Sequence, residues 1–329
     1  VCVGNYTLDA LTSGDNNVAV GYNAGGATTT GTNSTFIGYN AGTLCTTADN
    51  AVFVGAYAGD GHDTEDNNVA IGVAALGGAV AGGEYNVAVG NYALDAVTSG
   101  DGNTALGYQA GTSNTTGYNC VFIGFGAGAV NESGNENTAM GKDAGYYLTN
   151  GDNNTLLGFG AGLSASPGGQ IDTENNTITL GNSSVATSNI QVDWTVASDK
   201  RDKTDVNNLD LGLEFINKLT PVTYKWDKRS SYIDKHDPTV DLNKVVHDGT
   251  HKEDWLDVGF LAQDVAEIED SYGYKIKDKT NLTTSLSGDG KQYGTKYAKF
   301  VPMLVKAVQE LSAEITTLKQ EINTLKEGK

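Results

Sequence analysis

Residues 18–38 read VAVGYNAGGATTTGTNSTFIG, in which two short apolar segments end in glycine, at Gly21 and again at Gly38. The same pattern of a few β-favouring residues and then glycine recurs along the first half of the chain. The interval between anchors stays at the Gly21-to-Gly38 value of seventeen, apart from one longer step, by a single residue, between Gly72 and Gly90. So regular a period indicates a repeat protein. The anchoring glycines are Gly21, Gly38, Gly55, Gly72, Gly90, Gly107, Gly124, Gly141 and Gly158.

Each unit of the repeat predicts one coil of a solenoid. The apolar residues favour a short strand, the glycine allows a bend, and the Thr, Ser, Asn and Asp residues that follow suit an outer loop. A fully extended unit would reach roughly 56 Å, so each unit must fold back on itself. Stacked coils bury strand on strand, but Ala, Val and Gly form a thin core. We therefore expect a mostly β, fibrous fold over residues 1–182, a trimeric β-solenoid or β-roll. The Ala three residues after each later anchor would let chains approach closely.

Charge divides the chain into two parts. Of its 329 residues, 21 are Lys or Arg, and only Lys142 of these lies before residue 198, while the net charge is −19. The acidic first part could not neutralise phosphates, so nucleic acid is not an expected partner. No run of about 18 apolar residues occurs, so we expect no membrane insertion. The shift in charge predicts a boundary near residue 195.

No metal or cofactor is expected. Cys2, Cys45 and Cys120 follow no disulfide or metal spacing and are interpreted as small buried hydrophobic residues. Clusters such as Asp15-Asn16-Asn17 lack the alternating acids of a calcium loop, which favours turns and stacked Asn ladders. Asp66-Asn67-Asn68 and Asp152-Asn153-Asn154 are interpreted in the same way. His62 is expected in an exposed loop, and no aromatic platform for a receptor stands out.

In pattern, residues 1–182 resemble the head repeats of trimeric bacterial adhesins and the repeats of many phage tail fibres. Those families use a comparable apolar-Gly strand motif, with the chains wound as a trimer. The resemblance implies an architecture and does not identify what the surface binds.

A different pattern begins after a transition segment at 183–197. LDLGLEFINKL (209–219) has helical periodicity, PVTYKW (221–226) is typical of a strand, and DVGFLAQDVAEI (257–268) begins as a strand and becomes helical. These segments predict a small α+β domain at 198–329. It closes with a long helix from about Lys296, which carries the expected coiled coil at about 300–327.

The closing helix carries apolar residues at steps of four and three, the pattern of a coiled-coil seam. A seam that lasts three heptads favours self-association over packing on the domain's own core. The β-branched residues in it are typical of dimers in isolated peptides. The repeats nevertheless favour a trimer, so the two indications conflict. The seam residues are Leu304, Val308, Leu311, Ile315, Leu318, Ile322 and Leu325.

Four ordered motifs give residues 198–329 a resemblance to the intramolecular chaperone domain of endosialidases and related phage tail spikes and fibres. They are SDxRxK from Ser198, LxPVxYKW (219–226), GFLAQDV (259–265) and PMLVKAVQEL (302–311). Such domains act as trimers that start the folding of the preceding fibre. Many then cut themselves off with a serine–lysine dyad.

By this resemblance, Ser198 is the nucleophile, Lys203 is the general base, and the scissile bond is Ser198–Asp199. Asp199 and Arg201 would shape the turn. Independently of the family, a serine hydroxyl needs a base to take its proton, and a lysine can serve once its ammonium is destabilised. Asp202 stands where an apolar residue is frequent in the family and would oppose such a role for Lys203. A domain that folds the fibre but stays uncleaved therefore remains open.

The function expected from the sequence is a structural phage tail fibre for host attachment, with self-cleavage as a single turnover at most. Its partners would be two further copies of the chain, virion tail proteins upstream of Val1, and a host-surface receptor of polysaccharide or protein. The fibre would belong to the virion, outside the cell after release, and the chaperone would act in the host cytoplasm during assembly. The alternatives are a trimeric bacterial surface adhesin, a polysaccharide-degrading spike, and a fibre whose chaperone remains as a permanent tip.

Overall fold

The computed structural model describes residues 1–78, 83–164, 166–185, 187–191, 194–234 and 241–327. The predicted transition segment 183–197 and the end of the domain at 329 lie partly outside these residues. The chain forms two compact units. The first is made mainly of Val1–Ala186, and the second of Thr187–Tyr232 with Asp241–Lys329.

The first unit is a parallel β-solenoid, as the repeat predicted. Among the described residues, eleven strands form one sheet in chain order, and each strand pairs with the next in parallel. Val18 lies opposite Thr35, so one repeat of the sequence forms one coil between neighbouring strands. The last step is longer, since Thr155 pairs with Ile178. The strands are β1 (Cys2–Val3), β2 (Val18–Val20), β3 (Thr35–Ile37), β4 (Val52–Val54), β5 (Val69–Ile71), β6 (Val87–Val89), β7 (Thr104–Leu106), β8 (Val121–Ile123), β9 (Thr138–Met140), β10 (Thr155–Leu157) and β11 (Ile178–Leu180).

The anchoring glycines are required by close contact between coils. Gly38 has φ +141°, and a Cβ placed there would lie 2.3 Å from the carbonyl oxygen of Gly55 in the next coil. No L side chain fits that distance, and few adopt that φ. Glycine at this position therefore sets the spacing at which one coil stacks on the next.

In some coils of the solenoid, a large and a small residue exchange places between two inward positions. Where the middle strand residue is Phe53, the inward position later in the coil is Gly59, whose added Cβ would lie 2.5 Å from the phenyl ring. Where the middle residue is Ala70, the equivalent inward position holds Leu76, and both are fully buried. In other coils both positions are small, and a side chain of the next coil fills the space, as a packed core requires.

The Ala that follows each later anchor does not serve chain association, contrary to the expectation from sequence. These residues are fully buried within their own chain's core, where a small side chain lets the turn pack against the strand. They are Ala24, Ala41, Ala58, Ala75, Ala93, Ala110, Ala127, Ala144 and Ala161.

A buried ladder of asparagines joins successive coils. The Oδ1 of Asn103 accepts the N–H of Cys120 at 2.9 Å, and its Nδ2 donates to the carbonyl of Gly117 at 2.8 Å. Because both groups belong to the next coil, one side chain satisfies two buried backbone atoms. This confirms the expected Asn ladder. The members that make both bonds are Asn17, Asn68, Asn86, Asn103, Asn137 and Asn154.

The second unit is a small α+β domain that ends in a long helix, again as predicted. Helix α1 is followed by an antiparallel pair, β12 with β13, then by helix α2 and the hairpin β14–β15. Its core includes Phe215, Val265, Phe300 and Met303. The bounds are α1 (Leu213–Lys218), β12 (Val222–Tyr224), β13 (Asp257–Gly259), α2 (Ala262–Ser271), β14 (Thr284–Leu286), β15 (Tyr293–Thr295) and α3 (Phe300–Glu327), with short 3₁₀ helices at Lys200–Asp202, Arg229–Tyr232, Leu242–Lys244 and Tyr297–Lys299.

The first turns of α3 belong to this domain. Met303 and Ala307 are buried in the domain, and the carboxylate of Glu310 accepts the N–H of Leu213 at 2.7 Å. That bond satisfies a free donor at the start of α1. Among the described residues, no helix is both long and apolar enough to cross a membrane.

Candidate functional site

The structure brings Ser198 and Lys203 together. The Nζ of Lys203 donates a hydrogen bond to the Oγ of Ser198 at 2.6 Å. Between them lies the single 3₁₀ turn Lys200–Asp202, which returns the chain so that residues five apart meet. The contact forms within one chain, so it needs no neighbour to supply the lysine.

Asp199 and Arg201 hold this turn. The Asp199 carboxylate accepts the backbone N–H of Arg201 at 2.9 Å, which caps the turn. It also faces the Arg201 guanidinium in two parallel contacts, of 3.1 Å from Nε and 2.6 Å from Nη2. The side-chain hydrogen bonds from Arg201, followed by its backbone N–H, lower the pKa of Asp199. The carboxylate therefore remains an acceptor across the neutral range.

The four side chains lie on an exposed segment of the single chain. A lysine acts as a base only when its charged form is destabilised by burial or by nearby positive charge. The turn provides the hydrogen bond of a Ser–Lys pair but not the desolvation. Asp202 stands where the family often has an apolar residue, but it forms no ion pair with Lys203 within the described part of the chain. The Lys203 ammonium is therefore bound to Ser198 and not to Asp202. The catalytic roles of Ser198 and Lys203 remain predictions.

The predicted coiled-coil seam is exposed along α3. Leu304 is 47% exposed, Leu311 44% and Leu325 72%, and Val308, Ile315, Leu318 and Ile322 are exposed as well. The buried residues of this helix stand at other positions: Phe300 and Met303 belong to the domain core, and Ala307 is buried as well. Packing within the domain's own core therefore leaves the seam residues exposed.

His62 lies in the solenoid core, and the expectation of an exposed loop was wrong. The side chain is fully buried, and its ring packs edge-on to Phe53 with centroids 5.2 Å apart. Burial lowers the pKa of His62 to about 4. The backbone of Leu76 raises this pKa by a smaller amount, although neither ring nitrogen makes a hydrogen bond to another described residue. The sequence carried a signal for this position, because His62 stands at the same place after its anchor glycine as the buried Cys45 and Leu148.

An exposed aromatic ladder was also missed. Tyr22 and Tyr39 stack with ring centroids 5.4 Å apart, and Tyr108 and Phe125 stack at 5.2 Å. The Lys142 ammonium lies 5.5 Å from the centre of the Phe125 ring. Sequence reasoning missed the ladder because its members stand either one or two residues after the anchor glycine. Neither of these two positions is aromatic in every repeat. The ladder comprises Tyr6, Tyr22, Tyr39, Tyr57, Tyr92, Tyr108, Phe125 and Phe159.

The acidic loop residues bind backbone atoms of neighbouring coils. The carboxylate of Asp66 accepts the N–H of Asp49 at 2.7 Å, and that of Asp152 accepts the N–H of Asn135 at 2.8 Å. Within the described ranges, no group of three or more His, Cys, Asp or Glu side chains is placed to hold a metal ion.

The cysteines were expected to be buried. Cys45 and Cys120 are buried, but Cys2 is exposed, so the expectation was wrong for Cys2.

In the comparison with protein families, residues 198–274 match the family model described as chaperone of endosialidase. The match begins at Ser198 and includes the candidate turn, α1, β12, β13 and α2. It supports a C-terminal domain of this chaperone type. No curated protein and no solved structure matches the chain.

Proposed function

We propose that the chain is a segment of a homotrimeric phage tail fibre for host attachment, with a C-terminal domain that assembles it and then cuts the chain beside Ser198. The observation that carries the proposal is the order of the two units. A parallel β-solenoid of repeated coils is followed by a domain with the chaperone of endosialidase match.

A fibre of this kind needs help to assemble in register. Because its coils repeat one short sequence pattern, sliding one chain by a coil keeps most contacts, so the repeats alone specify register weakly. Contacts between chains also join residues far apart, which slows folding. A domain that brings three chains together at one point would remove both difficulties.

The exposed seam of α3 supports self-association of this domain. The helix has 28 residues and keeps Leu304, Leu311 and Leu318 exposed, so its apolar stripe has no partner within the described part of the chain. Pairing with the same stripe of other copies would remove that surface from water. The β-branched residues of the seam favour dimers in peptides, so the trimer rests on the repeats and on the family resemblance.

Self-cleavage is supported by the Ser198–Lys203 hydrogen bond. Because the pair is exposed in the single chain, we propose that assembly supplies the burial that the lysine needs. Cleavage would then follow trimerisation and would leave the fibre without its folding domain, so that it is trapped kinetically.

The test is denaturing electrophoresis with intact mass of freshly expressed protein, beside Ser198→Ala and Lys203→Ala. The expected result is two fragments that meet at Ser198 in the native protein and one chain of 34.3 kDa in both variants. Lys200→Ala is the matched control, since it removes a neighbouring exposed lysine, and it should cleave normally. A single full-length chain in all samples would contradict self-cleavage and leave the domain as a permanent trimerising tip.

Two other functions would give different results. A trimeric surface adhesin would remain uncleaved and would be found attached to bacterial cells. A polysaccharide-degrading spike would release sugar from host polysaccharide, which a reducing-sugar assay on the purified chain detects.

A further inference from the structure

One side of the solenoid is almost free of charge. We define the outer face as the six positions in each coil that run from three residues before the anchor glycine to two residues after it, from Val1–Tyr6 to Thr155–Gly160. Its only charged residues are Lys142 and Asp143, which pair with each other at 3.7 Å. The remaining acidic residues of the solenoid lie on the other sides of the coils. A unit this acidic therefore concentrates its charge away from one face.

The outer face is also apolar and exposed. The middle residue of each three-residue strand points inward, so the third residue points outward, as in Ile37, Ile71, Leu106 and Met140. These four side chains are between 38% and 48% exposed. The aromatic ladder continues the same face directly beyond the strands. Asn5 and Asn91 are also exposed on this face, so its surface is largely but not wholly apolar.

We infer that the outer face is the surface through which copies of this chain pack side by side, an inference that rests on the proposed trimer. Charged residues are depleted and aromatic residues enriched at the centres of protein interfaces. Two chains of this charge repel each other wherever their acidic sides meet. The uncharged face is the side on which that repulsion is smallest, so a second copy of the same chain fits it better than it fits any other side.

The face is long enough for such a partner. Its ten strands at about 4.8 Å spacing give it a length of roughly 43 Å, so a second copy laid alongside contacts it over many successive coils.

The test is thiol labelling of the full chain, with Leu106→Cys on the outer face and Thr116→Cys on the loop of the same coil, both in a Cys2→Ser background. Both positions are exposed in the single chain. The two remaining thiols should not react with the label in the native protein. Burial raises the pKa of Cys45 and raises that of Cys120 to about 11. In the assembled protein, Leu106→Cys should label at least tenfold more slowly than Thr116→Cys. Unfolding in denaturant should make the two rates equal.

Light scattering on the same samples separates the two proposals. If the protein is trimeric and both cysteines label at the same rate, the outer face is free, as a receptor-binding surface would be, and the inference is overturned while the trimer stands. If the native chain is monomeric, the proposed trimer fails, and the inference fails with it. Ile71→Cys gives a second face position with the same expected protection, should Leu106→Cys impair folding.

A charge placed on the face gives an independent readout. Leu106→Glu should shift the assembled protein towards smaller species, whereas Thr116→Glu should leave the distribution unchanged. Equal behaviour of the two variants in a folded, trimeric protein would overturn the inference.

Discussion

The ammonium of Lys203 donates a hydrogen bond of 2.6 Å to the hydroxyl of Ser198, five residues earlier in the chain. The turn that makes this contact possible is held by the Asp199 carboxylate, which caps the backbone and pairs with Arg201. The dyad therefore depends on a residue that would take no part in the proton transfer.

Asp199→Ala should slow self-cleavage by about tenfold, because a small displacement of a reacting pair has a large kinetic cost. Asp199→Asn should retain an intermediate rate, since its amide oxygen can still accept the N–H of Arg201 but cannot form the ion pair. The measurement is the fragment yield over time in a synchronised expression or refolding reaction. Lys200→Ala, in the same turn, should cleave at the native rate. Equal rates for Asp199→Ala and the native chain would refute a positioning role.

His62 should make the solenoid less stable in acid. Its pKa is about 4 in the fold and about 6.5 when unfolded, so the folded state resists a proton that the unfolded state accepts. The free energy of unfolding is therefore unaffected by His62 above pH 6.5. It falls as the pH drops from 6.5 to 4, by roughly 3 kcal/mol in total. The measurement is the denaturation midpoint of the native chain and of His62→Leu across this range.

The control for His62 is the reverse exchange in another coil. His62→Leu should remove this part of the pH dependence, because the equivalent place in another coil already holds Leu148. Leu148→His should introduce a similar dependence. If the native chain and His62→Leu lose stability in parallel between pH 6.5 and 4, the carboxylates alone are responsible.

Gly59→Ala should destabilise the solenoid by roughly 2–4 kcal/mol, from left-handed backbone strain and overpacking together. Gly59 has φ +57°, and the added Cβ would lie 2.5 Å from the Phe53 ring. Gly168→Ala is the matched control, because Gly168 also has positive φ but nothing lies within 4 Å of its added Cβ. Removing the ring with Phe53→Ala should recover part of the loss in the double variant. A purely additive double-mutant cycle would exclude the steric cause.

Glu269→Ala should destabilise the C-terminal domain by roughly 3 kcal/mol, since it leaves buried donors unsatisfied. The Glu269 carboxylate is fully buried and accepts the N–H and the hydroxyl of Thr283, at 2.6 and 2.8 Å, and the hydroxyl of Thr284 at 2.5 Å. These bonds fix the β14–β15 hairpin to α2. The measurement is chemical denaturation followed by tryptophan fluorescence. Glu267→Ala, an exposed acid on the same helix, should change stability by less than about 0.5 kcal/mol.

The local motifs of the C-terminal domain could be predicted because each has a short-range cause. PVTYKW contains strand β12, GFLAQDV ends a strand and begins a helix, and the heptad positions of α3 form an exposed stripe. The contact between Ser198 and Lys203 could also be predicted from the sequence, because a single turn connects the two residues. The hydrogen bonds between Glu269 and Thr283 could not be predicted from the sequence. They join a helix to a hairpin, and no local pattern encodes the relative position of these two elements.

In the solenoid, the sequence by itself determined the coil length, the strand positions and the anchoring glycines, because the period of the repeat is written directly in the chain. The tertiary structure decided which side chains point inward. The repeated Ala residues, expected between chains, are buried within one chain, His62 is in the core, and the aromatic ladder lies on one face. The physical reason is that strands of three residues carry little alternation, while the left-handed turn position two residues after each anchor holds different residue types in different coils, such as Asn40 and Tyr57, so residue type there does not show where the side chains point. Those directions become fixed only when each coil stacks on the next.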